Sequence, residues 1–150
     1  MQIVANNKKA FFEYFILEKI EAGIQLTGDE VKSLRVGKAS IKEAYAEAKK
    51  GQLFLVNSDI SNYEKASSYS KLDSKRVRKL LVHKKEISKL QGKIEKEGMT
   101  IVPLKLYFNK KGIAKVEIAV AKGKKLYDKR EVKKKKDWNI QKKRLLKNIN

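Results

Sequence analysis

The chain has 150 residues, 41% of them hydrophobic, and a formal net charge of +20 from 37 Lys and Arg against 17 Asp and Glu. That length suits one compact domain plus a tail. The apolar content excludes a wholly disordered chain, and no apolar run approaches the roughly 20 residues of a membrane helix. Cysteine is absent, which rules out disulfides, thiolate nucleophiles and cysteine-ligated zinc.

In chain order, Glu13-Tyr-Phe-Ile-Leu-Glu-Lys-Ile-Glu reads as a long first strand ending near Gln25-Leu26. Thr27-Gly-Asp-Glu30 has the form of a capping box, with the Thr hydroxyl accepting the Glu30 amide while Glu30 reaches back. Val31 and Leu34 then share one face of a short helix that Gly37 stops. Ile41 to Ala48 and Gln52 to Asn57 flank Lys50-Gly51 as a hairpin, although Glu43-Ala-Tyr-Ala-Glu-Ala also has helical propensity. Ser61 to Ser74 is polar and reads as a loop.

Lys84 to Glu97 places Ile87, Leu90 and Ile94 at helical spacing before Gly98. Thr100 to Phe108 alternates, with Val102, Leu104, Leu106 and Phe108 expected on one face. Pro103 cannot donate to a ladder, so this strand is expected to lie at an edge or to bulge there. Asn109-Lys-Lys-Gly112 turns the chain into a strand over Ile113 to Ala121, with Val116, Ile118 and Val120 pointing one way. Strands with two inserted helices suggest a small antiparallel barrel with helices outside it.

The charge is uneven. Lys122 to Asn150 holds 13 Lys or Arg against Asp128, Glu131 and Asp137, a net of +10 and half the total. The composition shifts at Gly123, so residues 1–122 are expected to form the body and 123–150 a basic tail. Blocks of like charge oppose folding alone, and a polyanion relieves them. Trp138, Leu145 and Ile149 would align on one side of a helix, with Leu146 beside them. The tail is therefore expected to be disordered when free and helical against RNA. The simpler alternative is a nonspecific basic extension.

Few residues suit catalysis. His83 is the only histidine and reads as a capping or packing residue. It has no second histidine or cysteine with which to build a common metal site. Gly23, Gly28 and Gly37 are too widely spaced for a nucleotide loop. Asp29-Glu30 reads as a surface counter-charge on so basic a protein.

A polyanion is the natural partner, because binding neutralises self-repulsion and releases counterions. The first nine residues lack a charged-then-apolar signal pattern, so a cytosolic RNA-binding protein is expected rather than a membrane-bound one. Asn7-Lys-Lys-Ala-Phe-Phe-Glu-Tyr14 mixes ammonium groups with rings suited to stacking on unpaired bases. The same rings equally suit the start of a core strand. Arg76-Val-Arg-Lys-Leu-Leu81 offers Arg76, Arg78 and Lys79 before two core-like leucines, or simply a solvated charge run.

Taken together and in order, several segments resemble the SsrA-binding protein (small protein B) family. They are Asn7-Lys8-Lys9-Ala10, Glu13-Tyr14, Glu21-Ala22-Gly23-Ile24, Leu26, Gly28 and Glu30-Val31-Lys32-Ser33-Leu34-Arg35. Arg78-Lys79-Leu80-Leu81, Lys122-Gly123-Lys124-Lys125 and Asp128-Lys129-Arg130 follow in the same order. Single pieces are common by chance; the ordered set is specific and spans nearly the whole chain.

The resemblance implies a mainly β, oligonucleotide-binding (OB-type) antiparallel barrel with flanking helices. It also implies a partner, the transfer-RNA-like domain of transfer-messenger RNA, delivered to stalled ribosomes for trans-translation. Family contacts carry over to Asn7, Lys8, Lys9 and Phe12, and to Glu21 with Lys32 and Arg35 as its neighbours. Glu21 would accept hydrogen bonds from base donors or orient a cation, adding selectivity that phosphate contacts lack.

In the tail, the resemblance places Gly123, Lys124, Lys125, Tyr127, Asp128, Lys129 and Arg130 at the ribosomal decoding centre. Trp138, Leu145 and Leu146 would anchor an induced helix in the empty messenger channel. Phe12 and Tyr127 stand where some relatives have histidine, which preserves stacking but not an imidazole hydrogen bond. Leu146 stands where Met is common. A monomer without cofactor or metal is expected. A structural ribosomal protein is the competing class, and an RNA-modifying enzyme is disfavoured by the missing catalytic constellation.

Overall fold

The structure is a computed structural model that describes residues 1–62 and 73–124. Nine strands and three helices follow in order: β1 (Gln2–Asn6), α1 (Lys8–Glu13), β2 (Tyr14–Ile24), α2 (Gly28–Arg35), β3 (Ala39–Ser40), β4 (Tyr45–Lys49), β5 (Gln52–Val56), β6 (Asp59–Ile60), β7 (Arg78–Leu81), α3 (Lys84–Glu97), β8 (Thr100–Phe108) and β9 (Ala114–Gly123).

All pairings are antiparallel. The main sheet runs β1-β8-β4-β5-β7-β2-β9, and pairing of β8 with β9 closes it into a ring. Closure removes the open edges that a sheet of this size would otherwise expose. The short β3–β6 pair lies apart from it. The mainly β barrel with flanking helices is the architecture expected from the alternation of the strands.

Local signals hold where they were strongest. Both halves of the Thr27 capping box are formed: Glu30 N donates to Thr27 Oγ1 at 3.2 Å and Thr27 N to Glu30 Oε1 at 2.9 Å. Lys50 and Gly51 both take positive φ, which gives the tight turn joining β4 and β5 a twist matched to the strands. The segment with helical propensity around Glu43 is a strand from Tyr45 onward, because Ala46 must face the core beside Ile101 of β8. His83 occupies the cap position of α3, yet its side chain makes no capping bond.

The interior is filled by Ala22, Ile24, Leu34, Leu53, Leu55, Leu80, Ile101, Val116, Ile118 and Val120, with Ile87 and Leu90 of α3 packed in from one end. Sequence alternation misassigns part of β8. Val102 and Leu104 belong to a second cluster with Ala10, Ala119 and Ala121 outside the barrel, while Leu106 and Phe108 face the main core. The cause is a bulge between Pro103 and Lys105 that reverses the facing of everything beyond it. β8 is paired on both sides, so of the two options Pro103 left open, the strand takes the bulge. β2 does the same between Ile16 and Glu18, so Tyr14 and Ile16 pack outside while Ile20, Ala22 and Ile24 point in.

β1 and α1 carry no periodic signal strong enough to be expected. α1 is six residues long and sits over the second cluster through Ala10. It replaces the beginning of the predicted first strand, which starts at Tyr14 rather than Glu13.

Candidate nucleic-acid interface

The outer face of the sheet beyond α1 is assembled by register. Leu81 of β7 lies opposite Gly23 of β2, Gly23 opposite Lys115 of β9, and Lys115 opposite Tyr107 of β8. These four residues form a single row across four strands. The next row pairs Glu21 with Glu117 and Glu117 with Lys105. Gly23 is needed for close approach: a Cβ there would stand 3.1 Å from the Leu81 Cβ.

An open cleft of about 1260 Å³ lies over this surface, walled by Lys19, Glu21, Lys50, Lys79, Leu81, His83, Lys84 and Lys115 among others. Five lysines against three carboxylates, Glu18, Glu21 and Glu86, leave the concavity net positive, which favours a polyanion by focusing the field. Leu81 is 52% exposed at its wall. It was expected in the core with Leu80; only Leu80 is, because successive residues of a strand face opposite sides.

Glu21 is exposed, and its Oε2 accepts a hydrogen bond from the Tyr107 hydroxyl, while the Tyr107 ring is 5% exposed. Burial, and then the hydrogen bond and charge of Glu21, push the Tyr107 phenol well above its ordinary range, so it remains a donor. Nothing in the sequence pointed to Tyr107. Its position opposite Lys115, one row from Glu21, is the signal, and it exists only in the register.

α1 continues this surface. Phe12 is 79% exposed and Phe11 half-exposed, while Ala10 and Tyr14 turn inward. The packing reading holds for Tyr14, whereas the Phe11 and Phe12 rings stay exposed on the other side. The Lys19 ammonium, a cleft wall, lies 5.8 Å from the Phe11 ring centre and joins the two areas. At the end of β9, Lys124 Nζ donates to the Phe11 carbonyl at 3.2 Å and sits 5.1 Å over the Phe15 ring. Gly123 pairs with Tyr14 in the last register position of β2. Gly123, the first residue of the expected tail, is thus the last residue of a barrel strand, and Lys124 follows directly on it.

Two residues expected to touch RNA are turned inward. The Asn7 side chain caps α1, accepting Ala10 N at 3.2 Å and donating to the carbonyls of Pro103 at 2.9 Å and Ile41 at 3.3 Å. It is buried and fully engaged, so its effect on Lys8, Lys9 and Phe12 is to fix where they stand. Arg78 is 0% exposed. Its Nε donates to Glu30 Oε2 at 2.7 Å, Nη1 to Ser58 O and Oγ and to Arg76 O, and Nη2 to Ser74 O.

Glu30 is buried rather than a surface counter-charge, and it also takes Arg76 Nη2. Burial alone would raise the Glu30 carboxyl. The hydrogen bonds from Arg76, Thr27 N and Arg78 outweigh it and hold the group below the usual carboxylate range. Burial presses the Arg78 guanidinium below its ordinary value, with Glu30 opposing.

Lys8 is exposed beside Phe12. Lys9 is held at the surface by Glu43 at 2.6 Å and Glu13 at 3.6 Å; the hydrogen bond to Glu43, and then the Glu13 charge, raise its ammonium above the ordinary value. Arg35 on α2 stacks 5.4 Å from the ring of Phe108, which faces the core. Tyr107, which reaches Glu21, is on the other face of the same strand. Arg35 thus packs against a core-facing ring of β8, whereas Glu21 meets Tyr107 of the same strand. Lys32 is on the same helix as Arg35 and is exposed. Lys125, Tyr127, Asp128, Lys129, Arg130, Trp138, Leu145 and Leu146 lie outside the described residues. Among the described residues, no cluster of His, Cys, Asp and Glu has the arrangement to hold a metal ion, and no helix is long and apolar enough to cross a membrane.

The chain was compared with known proteins. It is 54% identical over 146 residues to the SsrA-binding protein of Nitrobacter winogradskyi, covering 97% of this chain and 92% of that one. It is 55% identical, over the same shares, to the SsrA-binding protein of Rhodopseudomonas palustris strain HaA2. A chain in the solved structure described as "tmRNA-SmpB: a journey to the center of the bacterial ribosome" superposes with a TM-score of 0.66 and 50% identity, covering 79% of this chain and 82% of that one. Residues 4–148 match the family described as SmpB protein. With that match across nearly the full length, the chain belongs to the SmpB protein family.

Proposed function

We propose that this protein binds the transfer-RNA-like domain of transfer-messenger RNA and delivers it to stalled ribosomes, acting as an adaptor rather than an enzyme. Family membership and relatives named SsrA-binding protein support this reading, as does likeness to a tmRNA–SmpB structure. The observation that carries it to particular residues is the lysine-walled cleft around Glu21, continuous through Lys19 with the exposed rings of α1.

Within that reading the roles divide. Lys19, Lys79 and Lys115 meet phosphate, Phe12 stacks on an unpaired base, and Glu21 accepts from a base edge. Asn7 and Arg78 hold the elements that carry these groups. Lys32 and Arg35 on α2 would meet a separate stretch of RNA backbone. The segment from Gly123 through Leu146 would enter the decoding site and messenger channel, with Tyr127 stacking and Trp138, Leu145 and Leu146 anchoring a helix. Such an adaptor works in the cytoplasm, where ribosomes translate.

Sequencing the RNA that co-purifies with the protein tests the partner: one predominant transfer-RNA-like species is expected. Ribosomal RNA recovered in a one-to-one ratio with all ribosomes would indicate a structural ribosomal protein instead. Truncation after residue 122 is expected to retain RNA binding and abolish ribosome rescue. Full rescue by the truncated protein would contradict the division of roles.

A further inference from the structure

Glu21 and Glu117 stand directly opposite each other in the β2–β9 register. Like charges in that position destabilise a sheet unless something else occupies the space between or beside them. Among the described residues, the buried Glu117 Oε1 has no hydrogen-bond partner. Among the same residues Glu21 has one, the Tyr107 hydroxyl on its Oε2, which leaves Oε1 for an incoming donor. The result is a small acceptor-rich notch that meets, through Glu21, a cleft lined by five lysines with Glu18 and Glu86.

Phosphate oxygens are acceptors and gain nothing from such a notch. Base edges carry donors, the exocyclic amines and ring N–H groups, and those are complementary to it. The notch is useful only if the Glu21 carboxylate stays put. Repulsion from Glu117 tends to swing it outward toward the lysines and solvent. Tyr107 opposes this: its ring is packed into β8 and its hydroxyl reaches Glu21 without any mobile chain in between.

We infer that Tyr107 is a positioning residue for base recognition, holding Glu21 so that its free oxygen accepts from a donor edge of an unpaired base. The inference rests on the reading that Glu21 meets RNA. Tyr107 touches no ligand itself. It converts a flexible carboxylate into a fixed acceptor, which reduces the entropy lost on binding.

The test uses the full-length protein with two probes, the transfer-RNA-like domain of transfer-messenger RNA and an arbitrary RNA duplex of equal length. Tyr107→Phe keeps the ring and removes the hydroxyl. It is expected to lower affinity for the first probe about tenfold, roughly 1.4 kcal/mol. Affinity for the duplex should not change, and neither should the dependence of log affinity on log salt, because no phosphate contact is lost. In a Glu21→Ala background, which removes the acceptor altogether, the same change is expected to have no further effect, since a positioning residue has nothing left to position. Thermal melts of both variants control for folding.

Equal losses on both probes, or an undiminished effect of Tyr107→Phe in the Glu21→Ala background, would overturn the inference. So would a Tyr107→Phe protein that binds as wild type while Glu21→Ala binds weakly; the reading of Glu21 would then survive alone. If Glu21→Ala itself binds as wild type, the underlying reading fails first.

Discussion

Arg78 and Lys79 are neighbours in the chain and in one strand, yet they belong to different parts of the molecule. Arg78 points inward to a buried cluster with Glu30, Ser58 and the carbonyls of Ser74 and Arg76. Lys79 points outward to the cleft that holds Glu21 and Lys115. Each region joins glutamate to basic side chains, and each is built from residues of the family signature. In one, the glutamate is fully committed to its own chain. In the other, the described residues supply it with one hydrogen bond, from Tyr107. Shared residue types therefore do not imply a shared role; the difference is the supply of internal hydrogen-bond partners.

The comparison is broken most severely at Arg78. Arg78→Ala leaves Glu30 buried with part of its compensation gone, and is expected to lower stability by about 3–5 kcal/mol, read by chemical denaturation. A loss below about 1 kcal/mol would mean that the inner cluster is not the structural half. Lys79→Ala, one residue on, is expected to leave stability within about 0.5 kcal/mol and weaken RNA binding instead.

pH sharpens the same contrast. The hydrogen bonds from Arg76, Thr27 N and Arg78 hold the Glu30 carboxyl below its ordinary value of 4.5. Its stabilising contribution is therefore complete above that value and is lost as pH falls through the lower folded value. The stability advantage of the wild type over Glu30→Gln is expected to narrow as the pH is taken below 4.5. An identical gap at pH 7 and pH 3 would contradict this.

Phe12→Ala should act only on the outer surface. A ring 79% exposed contributes little to folding, whereas loss of one stacking platform costs about 1–3 kcal/mol of RNA affinity. A melting shift with unchanged affinity would return Phe12 to a packing role. Thr27→Ala, which removes one side of the α2 capping box, is expected to cost about 1 kcal/mol of stability without altering the salt dependence of binding. The smallest effect is assigned to Lys115→Ala: loss of one phosphate contact should reduce the salt slope by about 0.9 on a duplex and leave the melt unchanged.

Much of this was legible in the chain itself. The capping box, the Lys50-Gly51 and Asn109–Gly112 turns, the α3 boundaries and the barrel class follow from local chemistry that acts within a few residues. The excess of positive charge and the ordered family segments likewise pointed to RNA before any strand was placed. The two inward-facing candidates, Asn7 and Arg78, could not be separated from the outward-facing ones. Their partners, Ile41, Pro103, Glu30 and Ser58, are 20 to 96 residues away.

Sequence by itself determined α2, α3, the tight turns and most of the long strands, and which polymer the charge attracts, because propensity, capping and net charge are local or summed properties. Tertiary structure alone decided facing and neighbourhood. Bulges in β2 and β8 reverse the alternation partway along each strand, moving Val102 and Leu104 out of the barrel and Leu106 and Phe108 into it. The same register brings Tyr107, Glu21, Leu81 and Lys115 together from four strands. No periodicity encodes that meeting, since a shift of one residue in any pairing would turn those side chains to the opposite face.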